Sequence, residues 1–313
     1  MQPLNAKQIV GNWTTILLPV NEDDSIDYLL LEEQIDSIIA FGVNGICSNG
    51  TAAEFYSQSE EEFDRINELL AAKCNAAGIP FQIGCSHMSP EISLERLRRA
   101  VDLHPGAIQV ILPDWFAPST KEIIKFLKKM ATAADPVRLV LYNPPHAKVQ
   151  LQPKDFALIK DAGIPLAGGK MAGGDRAWYK RMKEYASRLS VFIPGHRLAT
   201  GISLGAHGAY SNIACLHPGV AQQWYQQMKT DLKMALELRD RIQTFMRSYI
   251  LPYITDKKYS NQAVDKFMAA VGGWTVLSTR LRWPYSGVDI AEVNSVRNAC
   301  QNLLPEFFNY KSI

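Results

Sequence analysis

Lys170 stands in Ile164-Pro-Leu-Ala-Gly-Gly-Lys-Met-Ala-Gly-Gly-Asp175, an apolar run of strand length that ends in glycines and a lysine. A lysine ordinarily keeps its ammonium in water. With small and apolar neighbours on both sides, Lys170 reads either as a solvated strand end or as an amine at the tip of a buried strand. In the second case desolvation favours the neutral, nucleophilic form. The glycines beside it carry no side chains and leave room for a ligand. Two other stretches carry compatible chemistry. Ser48-Asn-Gly-Thr-Ala-Ala-Glu54 has small residues whose backbone N–H groups suit an anion such as a carboxylate, or it is a polar turn capped by Thr51. Tyr142-Asn-Pro-Pro145 offers a phenol that can pass a proton, or an aromatic lid over a core. An amine, a phenol and an anion cradle around one cavity suit Schiff-base chemistry on a 2-oxo acid.

These groups meet only if the elements that carry them converge. Short apolar runs alternate with amphipathic segments of helical length. Strands are predicted at 13–20, 43–47, 81–85, 107–112, 137–142, 164–170, 190–193 and 207–211. Helices are predicted at 24–41, 57–76, 89–103, 119–133, 152–162, 175–188 and 196–204. Alternation of this kind implies parallel strands joined by helical crossovers. Eight units predict an α/β fold, a (β/α)8 TIM barrel, with a doubly wound open sheet as the competitor. After Pro218 no strand is predicted. Helices are expected at 220–249, 261–271 and 288–308, and 274–283 is ambiguous. The expected division is a barrel over 1–225 and a C-terminal helical region over 226–313. A barrel places its active site at the C-terminal strand ends. That rule gathers the ends of strands two, five and six at one mouth.

Composition narrows the function. The 313 residues carry a net charge of +2, with 47% hydrophobic and 20% charged residues. That charge supplies no field that would select nucleic acid or an anionic membrane. No apolar run approaches the roughly 20 residues that span a bilayer, and the first residues lack a signal-peptide pattern. The five cysteines are scattered without a CxxC pair, and the six histidines form no HxxxH or HExxH, so no metal site is expected. A reducing cytoplasm is the simplest home. Gly201-Ile-Ser-Leu-Gly205 matches GxSxG, but a nucleophile elbow needs a strand before the serine and a helix after it, the reverse of the order here.

Four motifs taken together are distinctive. Gly50-Thr-Ala-Ala-Glu54 is similar to a Gly-Thr-Thr-Gly-Glu loop, and Tyr142-Asn-Pro-Pro145 to Tyr-Asn-x-Pro. Gly169-Lys-Met-Ala-Gly-Gly-Asp175 is similar to (Ile/Val)-Lys-(Glu/Asp)-(Ser/Ala)-(Ser/Thr)-Gly-Asp, and His207-Gly-Ala-Tyr-Ser211 to Gly-x-x-Ser. In this order and spacing they resemble the dihydrodipicolinate synthase and N-acetylneuraminate lyase superfamily, pyruvate-type class I aldolases on a (β/α)8 barrel. The resemblance covers about Trp13 to Pro218, with a similar helical tail. It implies that Lys170 forms the imine, that Tyr142 relays protons and that Thr51 hydrogen-bonds that tyrosine. It places Ala52 where a hydroxyl would hold the substrate carboxylate, leaving the N–H groups of Ala52 and Ala53. It places Tyr210 where the backbone faces substrate. It also implies a homo-oligomer, a tetramer or dimer, that needs no cofactor beyond the covalent lysine imine.

Departures bear on the substrate. Ala147 stands where the synthases carry a carboxylate-binding arginine, and Trp115 where they lend a tyrosine. Gly195-His-Arg197 replaces the more usual Gly-Asp-Asp. His146, Lys148, His196 and Arg197 would form a basic mouth if they faced inward. The expected activity is cleavage or dehydration of a 2-keto-3-deoxy sugar acid, or other chemistry on pyruvate. Dihydrodipicolinate synthesis is the alternative within the family. A catalytically idle barrel that binds or regulates is the alternative of another class.

Overall fold

The computed structural model describes residues 1–311. The eight apolar runs form strands β1 (Gly11–Thr15), β2 (Gly45–Cys47), β3 (Phe81–Gly84), β4 (Ala107–Ile111), β5 (Leu139–Tyr142), β6 (Leu166–Lys170), β7 (Ser190–Phe192) and β8 (Gly208–Tyr210). They pair in parallel in sequence order, and β8 closes on β1. That closure decides for the barrel over the open sheet.

The helices are α1 (Tyr28–Ala40), α2 (Glu60–Ala77), α3 (Pro90–Val101), α4 (Thr120–Ala134), α5 (Pro153–Asp161), α6 (Arg176–Tyr185), α7 (Leu198–Leu204), α8 (Asn212–Leu216), α9 (Pro218–Thr230), α10 (Leu232–Phe245), α11 (Leu251–Thr255), α12 (Asn261–Gly272) and α13 (Val293–Leu303). Their starts follow local chemistry. Ser59 and Glu62 form a capping box at α2, as Ser119 and Glu122 do at α4. Helix α7 precedes β8, and the exposed Ser203 hydroxyl donates to the Thr200 carbonyl, so the GxSxG match is no nucleophile elbow.

Two expectations fail in detail. The first strand ends at Thr15, although Ile16, Leu17 and Leu18 remain buried; burial there belongs to a connection rather than to the sheet. The single helix expected over 220–249 is α9, α10 and a π-turn over Met246–Ile250. Asp231 ends α9, and its carboxylate accepts from the Met234 N–H at 3.1 Å to start α10. The apolar period continues across the break because both helices face the same core.

The barrel interior is filled by Ile9, Trp13, Val140, Phe192 and Tyr210, with the Trp13 ring edge-on to Tyr210 at 5.9 Å. A second apolar core lies between strands and helices and runs from Ile46 through Trp224 to Phe267. Residue 225 falls within α9, inside that shared core. Helix α12 is buried around most of its circumference and packs on α8 and on the 3₁₀ turn Thr51–Ala53. The C-terminal helices thereby roof the barrel mouth. No helix among the described residues is long and apolar enough to cross a membrane.

Candidate active site at the barrel mouth

β5 and β6 pair so that Tyr142 and Lys170 are register partners at adjacent strand ends. The half-buried Lys170 holds its Nζ 4.1 Å from the centroid of the Tyr142 ring and 5.6 Å from that of Tyr210. The amine therefore lies on the face of the phenol ring, neither in bulk solvent nor on the far side of the mouth. Both residues line a cavity of about 530 Å³, with Thr51, Ala52 and Tyr210 on its wall.

The loop after β2 is held under strain. Asn49 and Glu54, neither of them glycine, adopt left-handed φ values of 50° and 51°. Gly84 permits the close approach behind it, since a Cβ there would lie 2.5 Å from the Asn49 carbonyl oxygen. Glu54 is clamped by Lys266 from α12 at 2.6 Å, with both side chains fully buried. Its other oxygen accepts from the Arg282 N–H at 3.0 Å, and the Lys266 ammonium also donates to the Arg280 carbonyl at 2.6 Å. Burial pulls the Lys266 amine below its ordinary value, and the Glu54 charge opposes that change.

Five of the sequence-derived site residues, Lys170, Tyr142, Thr51, Ala52 and Tyr210, converge on the cavity. Three do not. The Ala53 N–H is consumed by the Gly50 carbonyl at 3.1 Å, and Ala53 is fully buried, so the 3₁₀ turn leaves it no free donor. Gly195 packs against Ser211, where a Cβ would meet Oγ at 2.2 Å; its neighbours Pro194, His196 and Arg197 line the cavity instead. His146 is exposed and faces an adjacent groove of about 990 Å³. Lys148 turns towards the loop after β4, its N–H donating to Asp114 and its ammonium to the Trp115 carbonyl.

Of the four basic residues expected at the mouth, His196 and Arg197 line the cavity, and Arg247 joins them from the roof. Burial lowers the His196 pKa, and the Asn212 side chain holds the ring through Nδ1. The Tyr210 hydroxyl donates to Gln82 at 2.6 Å inside the barrel, and burial raises its pKa well above the ordinary value. Trp115 is 67% exposed and lies outside the cavity wall.

Nothing in the chain's local patterns announced the roof. The π-turn and α11 bring Met246, Arg247, Ile250, Leu251 and Ile254 over the cavity. Helix α12 adds Asn261, Val264, Asp265 and Met268. Burial raises the Asp265 carboxyl to about 7 despite the opposing charge of Lys170, and no hydrogen bond from a described residue relieves it. Among the described residues no three His, Cys, Asp or Glu side chains gather to hold a metal.

Comparison with known proteins agrees with this architecture. The pattern of the Dihydrodipicolinate synthetase family matches residues 8–302. A 4-hydroxy-tetrahydrodipicolinate synthase from Bartonella bacilliformis is 26% identical over 259 residues, which covers 80% of this chain and 86% of that protein. A trans-O-hydroxybenzylidenepyruvate hydratase-aldolase from Sphingobium xenophagum is 28% identical over 156 residues, 47% of this chain and 46% of that one. In structure, a prophage protein of the dihydrodipicolinic acid synthase family from E. coli K12, solved with pyruvate, superposes with a TM-score of 0.83 at 21% identity, covering 94% of this chain and 98% of that one.

Proposed function

The chain belongs to the dihydrodipicolinate synthetase family, whose members are lyases of the class I aldolase type, and we propose that Lys170 forms a Schiff base with pyruvate or a 2-keto-3-deoxy sugar acid. The observation that carries this is the Lys170 Nζ lying 4.1 Å above the Tyr142 ring inside the roofed cavity. The Lys170 amine attacks the C2 carbonyl, water leaves, and the protonated imine becomes an electron sink. C3 can then lose a proton, or the C3–C4 bond can break. Tyr142 moves protons to and from the substrate; Thr51 lines the same cavity, although among the described residues no hydrogen bond joins the two. The Ala52 N–H holds the carboxylate. No cofactor takes part beyond the imine itself.

A second reading has an observation of its own. Met246, Ile250, Leu251, Ile254, Val264 and Met268 make the roof largely apolar. That surface favours a 2-oxo acid with an apolar tail over a heavily hydroxylated one, in the manner of the hydratase-aldolase relative. Dihydrodipicolinate synthesis is disfavoured by Ala147 and by the outward Trp115. The neighbouring exposed Trp115 and Phe116 support assembly as a homo-oligomer, and the five free, buried thiols support a reducing cytoplasm.

Borohydride trapping with pyruvate tests the assignment. The native protein is expected to become covalently labelled, and Lys170→Ala to lose the label entirely. Tyr142→Phe is expected to keep the label while turnover falls about 10²–10⁴-fold. Near-normal turnover in the lysine variant ends the imine mechanism. Absence of label in the native protein favours an idle barrel.

A further inference from the structure

We propose that Asp265, on the roof helix α12, is a second catalytic acid–base that exchanges a proton with the C4 oxygen of an imine-bound substrate. The proposal presupposes the imine chemistry at Lys170 set out above.

Among the described residues, Asp265 is the one carboxyl on the cavity wall. It comes from the roof, whereas Lys170 and Tyr142 come from the strand ends beneath. A 2-oxo acid with its carboxylate at the Ala52 turn and C2 joined to Lys170 must extend C4 and later atoms towards that roof. Asp265 lies near enough to Lys170 for the two charges to act on each other, and it also acts on the Cys215 thiol.

Two of the hydroxyls on the wall are committed elsewhere: the Tyr210 hydroxyl donates to Gln82 and the Thr15 hydroxyl to the Ile16 carbonyl. Thr51 and Ser211 carry alcohols, far weaker acids than a carboxyl. Tyr142 lies at the strand ends beside Lys170, below the roof that carries Asp265, and Trp115 supplies no hydroxyl to relay its proton. A carboxyl titrating near neutrality can both give and take a proton at working pH.

The step balances without a further reactant. In cleavage the C4 hydroxyl proton passes to the Asp265 carboxylate as the oxygen lone pair forms the aldehyde C=O. The C3–C4 bond breaks, and its electron pair moves into C2–C3 as the iminium becomes an enamine. In condensation the same proton returns to the new alkoxide. The other groups facing the cavity are Lys170, Tyr142, Cys47, Cys215, Tyr210 and His196, with fixed charges at Arg197 and Arg247. Burial moves Cys47, Cys215 and Tyr210 upward and His196 downward, which leaves the interval around 7 to Asp265 among the groups so moved.

The test separates chemistry at C3 from chemistry at C4 in the full-length chain. Deuterium exchange into the pyruvate methyl group and borohydride trapping with pyruvate report the first. Cleavage of four probes reports the second: 2-keto-3-deoxygluconate, 2-keto-3-deoxygalactonate, 4-hydroxy-2-oxoglutarate and 4-hydroxy-2-oxo-4-phenylbutanoate. Asp265→Asn is expected to keep trapping and exchange within about threefold, which also shows that it folds. Its kcat for cleavage of the best probe is expected to fall at least 10²-fold. The limb of the pH profile near 7 is expected to vanish, and Asp265→Glu to restore part of the rate. Equal losses of exchange and cleavage would reduce Asp265 to a charge partner of Lys170 and overturn the proposal, as would unchanged cleavage. A native enzyme that traps pyruvate but cleaves none of the four probes also overturns it, while the imine assignment stands. A native enzyme that traps no pyruvate overturns both.

Discussion

Ala52 is where a single added atom can probe the site. It lines the cavity beside Thr51, on a turn locked between two left-handed residues, and offers a backbone N–H but no hydroxyl. A hydrogen bond to a charged group contributes about 1.5–3 kcal/mol. Ala52→Ser should therefore lower the KM for pyruvate about tenfold or more, since about 1.4 kcal/mol is a factor of ten. Steady-state kinetics alongside the trapping rate check this. An unchanged KM would mean that the carboxylate sits elsewhere. Lys170, Tyr142 and Thr51 were legible in the sequence because the strand-end rule depends only on where each apolar run stops. Ala53 and Gly195 were misplaced because a donor's availability depends on its partner and a glycine's role on what packs against it, and both are taken up by neighbours in the folded chain. Asp265 was illegible for a different reason: within an amphipathic helix it reads as an ordinary solvated carboxylate.

Among the elements, α9 carries an unusual cap. His217 precedes it, and its Nδ1 accepts from the Val220 N–H at 3.4 Å, with the ring clustered against Phe41 and Tyr310 at centroid distances of 4.9 Å. Burial pushes its pKa down to about 4. The folded value is thus below the unfolded value of about 6.5. A depressed histidine contributes its stability in full above pH 6.5 and loses it as pH falls towards 4. Protonation also turns the capping acceptor into a donor at a helix N-terminus that repels positive charge. Each tenfold weakening of proton affinity on folding corresponds to about 1.4 kcal/mol, so the loss across that window is on the order of 3 kcal/mol. His217→Asn, which can cap but not titrate, should match the native protein within about 1 kcal/mol at pH 8. It should show a flatter decline in urea-unfolding stability between pH 6.5 and 4, and parallel declines would exclude His217 as the source. The strands and most helices were legible because period and caps are local. The Asp231 break and the π-turn were not, because the apolar pattern runs on through both.

At the scale of the molecule, a buried ion pair ties the roof to the loop at the barrel mouth. Neighbours along a helix point about 100° apart. Helix α12 therefore sends Asp265 into the cavity and Lys266 to the Glu54 carboxylate beneath the anion loop. This also explains why the eight βα units could be read from the chain while the assembled site could not: nothing local records that α12 lies across the mouth. Removing one partner strands a fully buried charge, so Lys266→Met should destabilise the fold by about 3–5 kcal/mol. The double variant Glu54→Leu, Lys266→Met strands no charge and should regain most of that stability. The Arg282 N–H loses its acceptor in the double variant, and residue 54 keeps its left-handed conformation through backbone bonds to Thr51 and Ser57 alone. The turn that presents Thr51 and Ala52 should relax, and the KM for pyruvate should stay raised by about tenfold or more, the effect of losing roughly 1.4 kcal/mol of binding. Urea unfolding and steady-state kinetics on the three proteins decide the matter. Recovery of both stability and KM would make the ion pair a matter of folding alone. Recovery of stability without KM would make it the link through which the roof sets the geometry of the substrate loop.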